Sequence, residues 1–407
     1  MLVRIFLAAL LISATPAQSF ADRVSPDRAL FEQVDGLVKS LSEITGWDVR
    51  RKVPSKMLSK DDFRRYVESR MKQDSNKQEI HNEEITLKMF GFVPQDFNLA
   101  AETVELVSEQ AAAFYDYNKK RLFILESTTE GLEQRVALAH ELAHALADQH
   151  HPLGKFLNKG SPDDDAETAR EAVMEGQATY LAWAAIAQST KGVDLDKIIE
   201  KLSEDTGDSS AFPVFNKEPL YMRESLVFPY DSGLKFQYAI YRKHGRGSFD
   251  ELFAHPPQST QQIMHPDAYL GEKKPLDPQP PKLEKPVARK FKLLGEGSMG
   301  EFDHNVLFRT YLPEKESAEA ASHWRGGSYR LYQNKREKYP VLTYVSEWDS
   351  ENSARRAFEM YRKVMKARWK KMEVDRQLKD EIDGVGDSGR FRLWLNGDVL
   401  ESIEGLR

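Results

Sequence analysis

The sequence predicts an α+β protein: a mainly helical part with a small edge sheet, then a small C-terminal α+β domain. Three observations predict it. Apolar and charged residues alternate at helical spacing over 22–100, and helical periodicity returns from about residue 129. Between them, 111–126 is an aromatic and β-branched pattern with a polar turn in the middle, which reads as a hairpin. Beyond the proline-rich stretch Pro275–Pro286 the pattern changes to short strand-like runs around one long amphipathic helix. At roughly 100–200 residues per domain, 407 residues suit two or three domains. Lys+Arg 58 against Asp+Glu 64 leaves a mild net charge of −6, which argues against a nucleic-acid partner because phosphates call for a basic face. The absence of cysteine excludes a disulfide framework, a thiolate zinc finger, a cysteine nucleophile and a lipid-modified N-terminal cysteine.

The elements follow in order. Residues 1–21 read as a signal peptide. Arg4 supplies the positive start, Ile5–Ala14 the short apolar run, and Ser19-Phe20-Ala21 the small residues of a cleavage site, with Thr15-Pro16-Ala17 as a second choice. The expected chain is exported, periplasmic or secreted, and begins near Asp22. No later stretch is long and apolar enough to span a bilayer, so no transmembrane segment is expected in the mature chain. Residues 22–110 form a helical region. Its clearest helices are Asp27–Leu41 and Lys60–Lys72, the second capped by Ser59, with a short strand at Asp48–Val53 that Pro54 would end. The hairpin pairs Ala111–Tyr117 with Arg121–Leu125 through Asn118-Lys119-Lys120. A helix over Thr129–Gln149 follows from the spacing of Leu132, Val136, Leu138, Leu142 and Leu146. The next helix opens at Ser161-Pro162, carries Asp163, Asp164 and Asp165 in its first turn, and runs to about Gln188, where Lys191-Gly192 closes it. Further helices fall at Asp194–Glu204, Glu218–Leu226 and Asp231–Lys243. Residues 275–287 read as a stiff linker. In 288–407, strands are expected at Val306–Tyr311, Ser328–Tyr332, Val341–Val345 and Phe391–Leu395. A helix is expected at Ser350–Glu373 and a turn at Arg325-Gly326-Gly327, with Trp324, Tyr329, Tyr332, Trp348 and Trp394 as core aromatics.

The chemistry gathers at His140-Glu141-Leu142-Ala143-His144. On a helix, positions four apart share a face, so His140 and His144 can direct two imidazoles at one ion. Glu141, rotated by about 100°, lies beside that ion, where it can take a proton from an activated water. This is the geometry of a zinc hydrolase holding one Zn2+ per chain. Two routes lead to a third ligand. One is His150, ten residues after His140, although that pattern wants Gly where the chain has Ala147. The other is the next helix, where Glu171 and Glu175 share a face of an otherwise apolar segment and would be costly to bury without a cation or hydrogen bonds. Gly176 costs helix stability, and its use is to admit another backbone or a ligand. Glu175 is therefore taken as the third ligand and Glu171 as its support or substitute. Asp148, four residues past His144, is a candidate for orienting an imidazole. Tyr230 and His265 are the candidate donors to a developing oxyanion, and the 111–125 hairpin could offer a sheet edge to an extended peptide.

The pairing of His140-Glu141-x-x-His144 with Met174-Glu175-Gly176-Gln177-Ala178-Thr179-Tyr180 resembles the gluzincin metallopeptidases. In the related aminopeptidases the glutamate of an Asn-Glu-Gly-Phe-Ala run is the third zinc ligand, which the resemblance maps onto Glu175. The chain also resembles a group of secreted bacterial proteins. Those share the His-Glu-Leu-x-His-Ala-Leu-x-Asp-Gln-His helix, the Glu-Gly-x-Ala helix, a preceding Phe-Tyr-Asp strand and a Pro-Pro-x-Ser-Thr…His-Pro segment. The likeness covers roughly residues 45–270. Met174 departs from the aminopeptidase Asn, and the stretch between His144 and Glu175 is longer than usual in that family. The resemblance implies a zincin-like catalytic domain over 111–274 and an exported zinc metallopeptidase that acts on a peptide or protein substrate. The alternative is a non-catalytic envelope protein in which the zinc is a structural clamp.

Overall fold

The computed structural model describes residues 26–74, 77–126, 131–157, 163–190, 194–204 and 212–407. The expected signal peptide, Thr129, Ser161-Pro162 and Lys191-Gly192 lie outside them. The chain is α+β. Helix α1 (Pro26–Thr45) leads into strand β1 (Ser55–Leu58) and helices α2 (Lys60–Asp74), α3 (Lys77–Phe90) and α4 (Leu99–Gln110). The hairpin follows as β2 (Ala113–Asp116) and β3 (Arg121–Leu125). β1 joins it in parallel, giving the order β1-β3-β2 with β2 at one edge. The strand expected at 48–53 is irregular, and the real strand starts just after Pro54. The reason is a competing acceptor: the N–H groups of Arg50 and Arg51 both donate to Gln149 Oε1, at 2.8 and 2.9 Å, instead of entering a ladder.

Helices α5 (Leu132–His150), α6 (Leu153–Leu157) and α7 (Asp164–Ser189) come next. Asp163, not Ser161, caps α7, its carboxylate accepting from the Ala166 N–H at 3.1 Å. After α8 (Leu195–Glu204) and α9 (Pro213–Lys217), the two helices expected at 218–243 are one, α10 (Leu220–His244), with Pro229 inside it. Proline removes one backbone hydrogen bond. Here the burial of Tyr221, Met222, Phe228, Leu234, Phe236 and Ile240, in a helix that packs along α7, outweighs that loss.

Short helices α11 (Ser248–Ala254), α12 (Thr260–Met264), α13 (Pro266–Leu270) and α14 (Lys285–Ala288) lead to the C-terminal domain. There β4 (Phe291–Ser298), α15 (Glu301–Tyr311), α16 (Glu314–Ala321), β5 (Trp324–Asn334), β6 (Pro340–Trp348), α17 (Glu351–Arg368), β7 (Met372–Gln377), β8 (Glu381–Gly386), β9 (Gly389–Asn396) and β10 (Val399–Leu406) build an antiparallel seven-stranded sheet, ordered β4-β5-β6-β10-β9-β8-β7. Three expectations fail here. The helix expected to run from Ser350 to Glu373 ends at Arg368, where Trp369 takes extended backbone, and Met372 and Glu373 belong to β7, paired with β8. Val306–Tyr311 is helical, because a short apolar run carries no period of its own and Phe302, Val306, Leu307 and Phe308 are all buried. Arg325-Gly326-Gly327 is not a turn but part of β5. A Cβ on Gly326 would strike the Leu276 carbonyl, and the Leu276 N–H donates to the Arg325 carbonyl at 2.7 Å, so glycine lets the proline-rich segment run along the strand.

One hydrophobic core runs through both parts of the chain. Phe90 of α3 meets Tyr329 and Tyr344 edge-on at 5.6 Å each, and Phe228 of α10 packs on Phe302 of α15 at 4.5 Å. Among the described residues no helix is long and apolar enough to cross a membrane.

Helices α7 and α10 touch at two glycines. A Cβ on Gly176 would fall inside the backbone of Gly233, and one on Gly233 would strike the Ala172 carbonyl. Backbone cannot swing aside as a side chain can. Gly176→Ala should therefore destabilise the fold by about 1–3 kcal/mol, although alanine favours a helix by about 1 kcal/mol over glycine. A denaturant midpoint unchanged or raised in the variant would disprove the close contact.

Candidate metal centre

Helix α5 is rich in alanine, so it can lie close to its neighbours, and it packs on α7. That contact brings together residues 31 and 35 positions apart. His140 Nε2 lies 3.0 Å from Glu175 Oε2, His144 Nε2 lies 3.2 Å from the same oxygen, and the two Nε2 atoms are 3.0 Å apart. His140 is 0% exposed, His144 and Glu175 3%. Three hydrogen bonds cannot satisfy this triangle. If both rings donate to Glu175, two N–H groups face each other. If His144 donates to His140, the His140 lone pair faces a carboxylate or the proton count fails. One cation satisfies all three edges. Ligand bonds of about 2.0–2.1 Å in a tetrahedron set donors about 3.3 Å apart, close to these separations. The group could therefore hold a metal ion.

The charges agree. Burial draws the His140 pKa down to about 4, with the His144 charge adding to it and Glu175 opposing. The ring is thus neutral near pH 7 with a lone pair to offer. Burial alone would raise Glu175, but the charge of His144 and hydrogen bonds from both rings outweigh it and bring the carboxyl to about 2.

Glu141 sits beside the triangle, fully buried. Its Oε2 accepts from the Tyr115 backbone N–H of β2 at 2.7 Å, and its Oε1 is buried without a partner. Burial, and then the charge of Glu175, push its pKa well above the usual carboxylate range. Tyr230 is at the site too, its ring stacked 5.8 Å from the His140 ring.

Other expected residues lie elsewhere. Glu171, half-buried one turn before Glu175, is pushed up to about 7 by burial and then by Glu175, and is not among the three donors. Asp148 is not an imidazole's partner. Its carboxylate accepts from the Tyr115 hydroxyl at 2.8 Å, Lys120 Nζ at 2.6 Å and the Leu153 N–H at 3.0 Å, so it fastens the hairpin to the end of α5. His150 turns to the Asp48 carbonyl at 2.9 Å and stacks on Trp47 at 5.6 Å, which removes it as a ligand. His265 pairs with Glu301 at 2.7 Å, a contact that raises its pKa.

Sequence reasoning missed Thr179. Its hydroxyl donates to the Glu175 carbonyl at 2.8 Å, so its oxygen can accept from His140 Nδ1–H, at a long 3.4 Å. That favours the tautomer with Nε2 bare, facing the other donors. The signal was present, since Thr179 stands four residues after Glu175 on the same face. The Tyr115 N–H had no signal, because backbone groups are alike in sequence.

A family model described as a domain of unknown function (DUF8575) matches residues 289–404, the C-terminal domain, which does not contain His140, His144 or Glu175. No curated protein and no solved structure matches the chain.

Thr179→Val keeps the shape and removes the hydroxyl. It should weaken metal binding about tenfold or more while the fold survives, as a competition titration with a chelating dye would read. A second expectation concerns pH. The unfolded chain protonates His140 near pH 6.5, the metal-free fold only near 4, so the contribution of His140 itself should fall as pH drops through that window, by on the order of 3 kcal/mol, while the raised carboxyls of Glu141 and Glu171 contribute in the opposite direction. Glu175, ionised in the fold down to about 2, adds a further loss below about 4.5 in the same direction as His140. Denaturant midpoints of chelator-treated parent and His140→Gln protein at pH 7, 5 and 4 check it, and a difference between the two that does not change with pH would contradict it.

Proposed function

We propose that the protein is a zinc-dependent metallopeptidase that hydrolyses peptide bonds after export. The observation that carries this reading is Glu141: a carboxylate beside three convergent donors, one oxygen anchored and the other buried and unpartnered. His140, His144 and Glu175 would hold the zinc. Zinc bound there would serve as a Lewis acid towards a carbonyl and towards water.

The chain's own residues do the rest. Glu141 Oε1 takes the proton of the attacking water and passes it to the leaving amine nitrogen. The Tyr115 N–H fixes the carboxylate plane, so the same oxygen faces the reaction each time. The Tyr230 hydroxyl, on the ring stacked against His140, is the candidate donor to the carbonyl oxygen. β2 ends its sheet, but all four of its residues are buried and its Tyr115 N–H is already given to Glu141, so this strand does not offer an open edge to a peptide. The rival reading, a structural clamp, needs a fourth protein ligand. Its candidate, His150, is held by Asp48 and Trp47.

Glu141→Gln keeps an oxygen for the Tyr115 N–H and loses the base. Peptide hydrolysis should fall by about two orders of magnitude or more, with about one zinc per chain retained by elemental analysis. Undiminished turnover in the purified variant would end the hydrolase reading, and a metal-replete preparation without zinc would end the zinc assignment.

A further inference from the structure

About three turns before Tyr230, at the start of α10, a cavity of about 340 Å³ opens where three parts of the chain meet. The loop after α3 forms one side, the α9–α10 junction another, and Thr310, Tyr311, Arg368 and Trp369 of the C-terminal domain the third. Its lining contains Lys88, Lys217 and Arg368 and no acidic residue.

Two independent features point to an anion. The first is the start of α10, a 25-residue helix whose N-cap is Pro219. Proline offers no capping side chain, and none caps the helix, so the first-turn N–H groups from Leu220 onward carry the positive end of the helix dipole to the cavity wall. The second is Arg368, whose side chain is 4% exposed. One terminal nitrogen donates to the Met89 and Phe90 carbonyls at 2.6 Å each, the other pairs with Glu404, and Nε–H has no acceptor. A buried guanidinium N–H left without an acceptor is costly, and an oxyanion in the cavity would supply one. Lys88 is tied to Glu84 at 2.7 Å, whereas Lys217 is exposed at the end of α9 and adds charge at the rim. Phe92, Val93 and Trp369 give the wall an apolar part, beside Gln95, Thr310 and Tyr311.

We propose that this cavity binds a small organic oxyanion, a phosphate monoester or carboxylate on an apolar body, held between the α10 N-terminus and Arg368. The volume is too large for a lone ion and fits a molecule of aromatic-ring size. The site needs both the helical part and the C-terminal domain, since neither alone supplies both groups.

Calorimetric titration of the zinc-loaded, full-length mature protein tests it, with inorganic phosphate, phenyl phosphate and benzoate as probes and ionic strength held by chloride. Saturable one-site binding is expected, with phenyl phosphate about tenfold tighter than inorganic phosphate because its ring meets the apolar wall. Benzoate binding in preference to phenyl phosphate would assign the carboxylate source, the reverse the phosphate source. Because Arg368 also holds α17 to α3, the variant is made at exposed Lys217. Lys217→Glu should weaken binding about tenfold or more. Lys235→Glu, on α10 but outside the cavity, should leave it unchanged. No saturable binding of any probe below about 10 mM, or equal affinity in parent and Lys217→Glu, would overturn the proposal.

Discussion

Two imidazole nitrogens and a carboxylate oxygen meet within 3.2 Å of one another in a buried interior, and the rest of the molecule is arranged around that meeting. Such a group is hard to assemble. Burial works against the charge on Glu175, and no distribution of protons relieves every contact in the triangle. The constraint is met by close helix packing. Alanines along α5 and α7 bring the two axes together, and the bare backbones of Gly176 and Gly233 bring α10 against α7, so that Tyr230 comes to lie over His140. The hairpin closes another side, giving Glu141 a backbone donor.

The same helix that carries Glu175 begins in the C-terminal domain's grip. Asp165 Oδ1 accepts from both the N–H and the hydroxyl of Thr260 on α12, at 3.1 and 2.5 Å, and lies against Gly300 of the C-terminal domain, where no Cβ would fit. Ser298 at the end of β4 donates to Asp163 at 2.6 Å and receives the Asp165 N–H at 2.9 Å. The acidic stripe on α7 thus divides in two. Its first turn fastens the helix to the sheet domain, and only Glu175 reaches the metal-binding group. The domain matched by the DUF8575 model is mechanically joined to the helix that bears the third donor.

Local chemistry was legible wherever it follows from covalent geometry. His140 and His144 share a face because a helix repeats every 3.6 residues, and Glu141 lies beside them for the same reason. The hairpin, the long amphipathic helix near its Ser350 cap, and the strands around Tyr329, Val341 and Phe391 were readable from their periods. Gly176 was readable as a point of close approach, though not what approached.

What tertiary structure alone decided is everything that joins distant segments. Glu175 rather than Glu171 or His150 reaches the imidazoles because α7 meets α5 at one register, and Asp148 turns to Tyr115 and Lys120 because the hairpin lies against the end of α5. Pro229 stays inside a helix, and Val306–Tyr311 coils rather than extends, because burial against neighbouring elements outweighs local preference. By itself the sequence determined which groups could bind an ion and the face they share, since neighbours on one helix are set by the chain's own repeat. Convergence across 31 residues is a matter of packing, whose energy is spread over many side chains and is written at no single position.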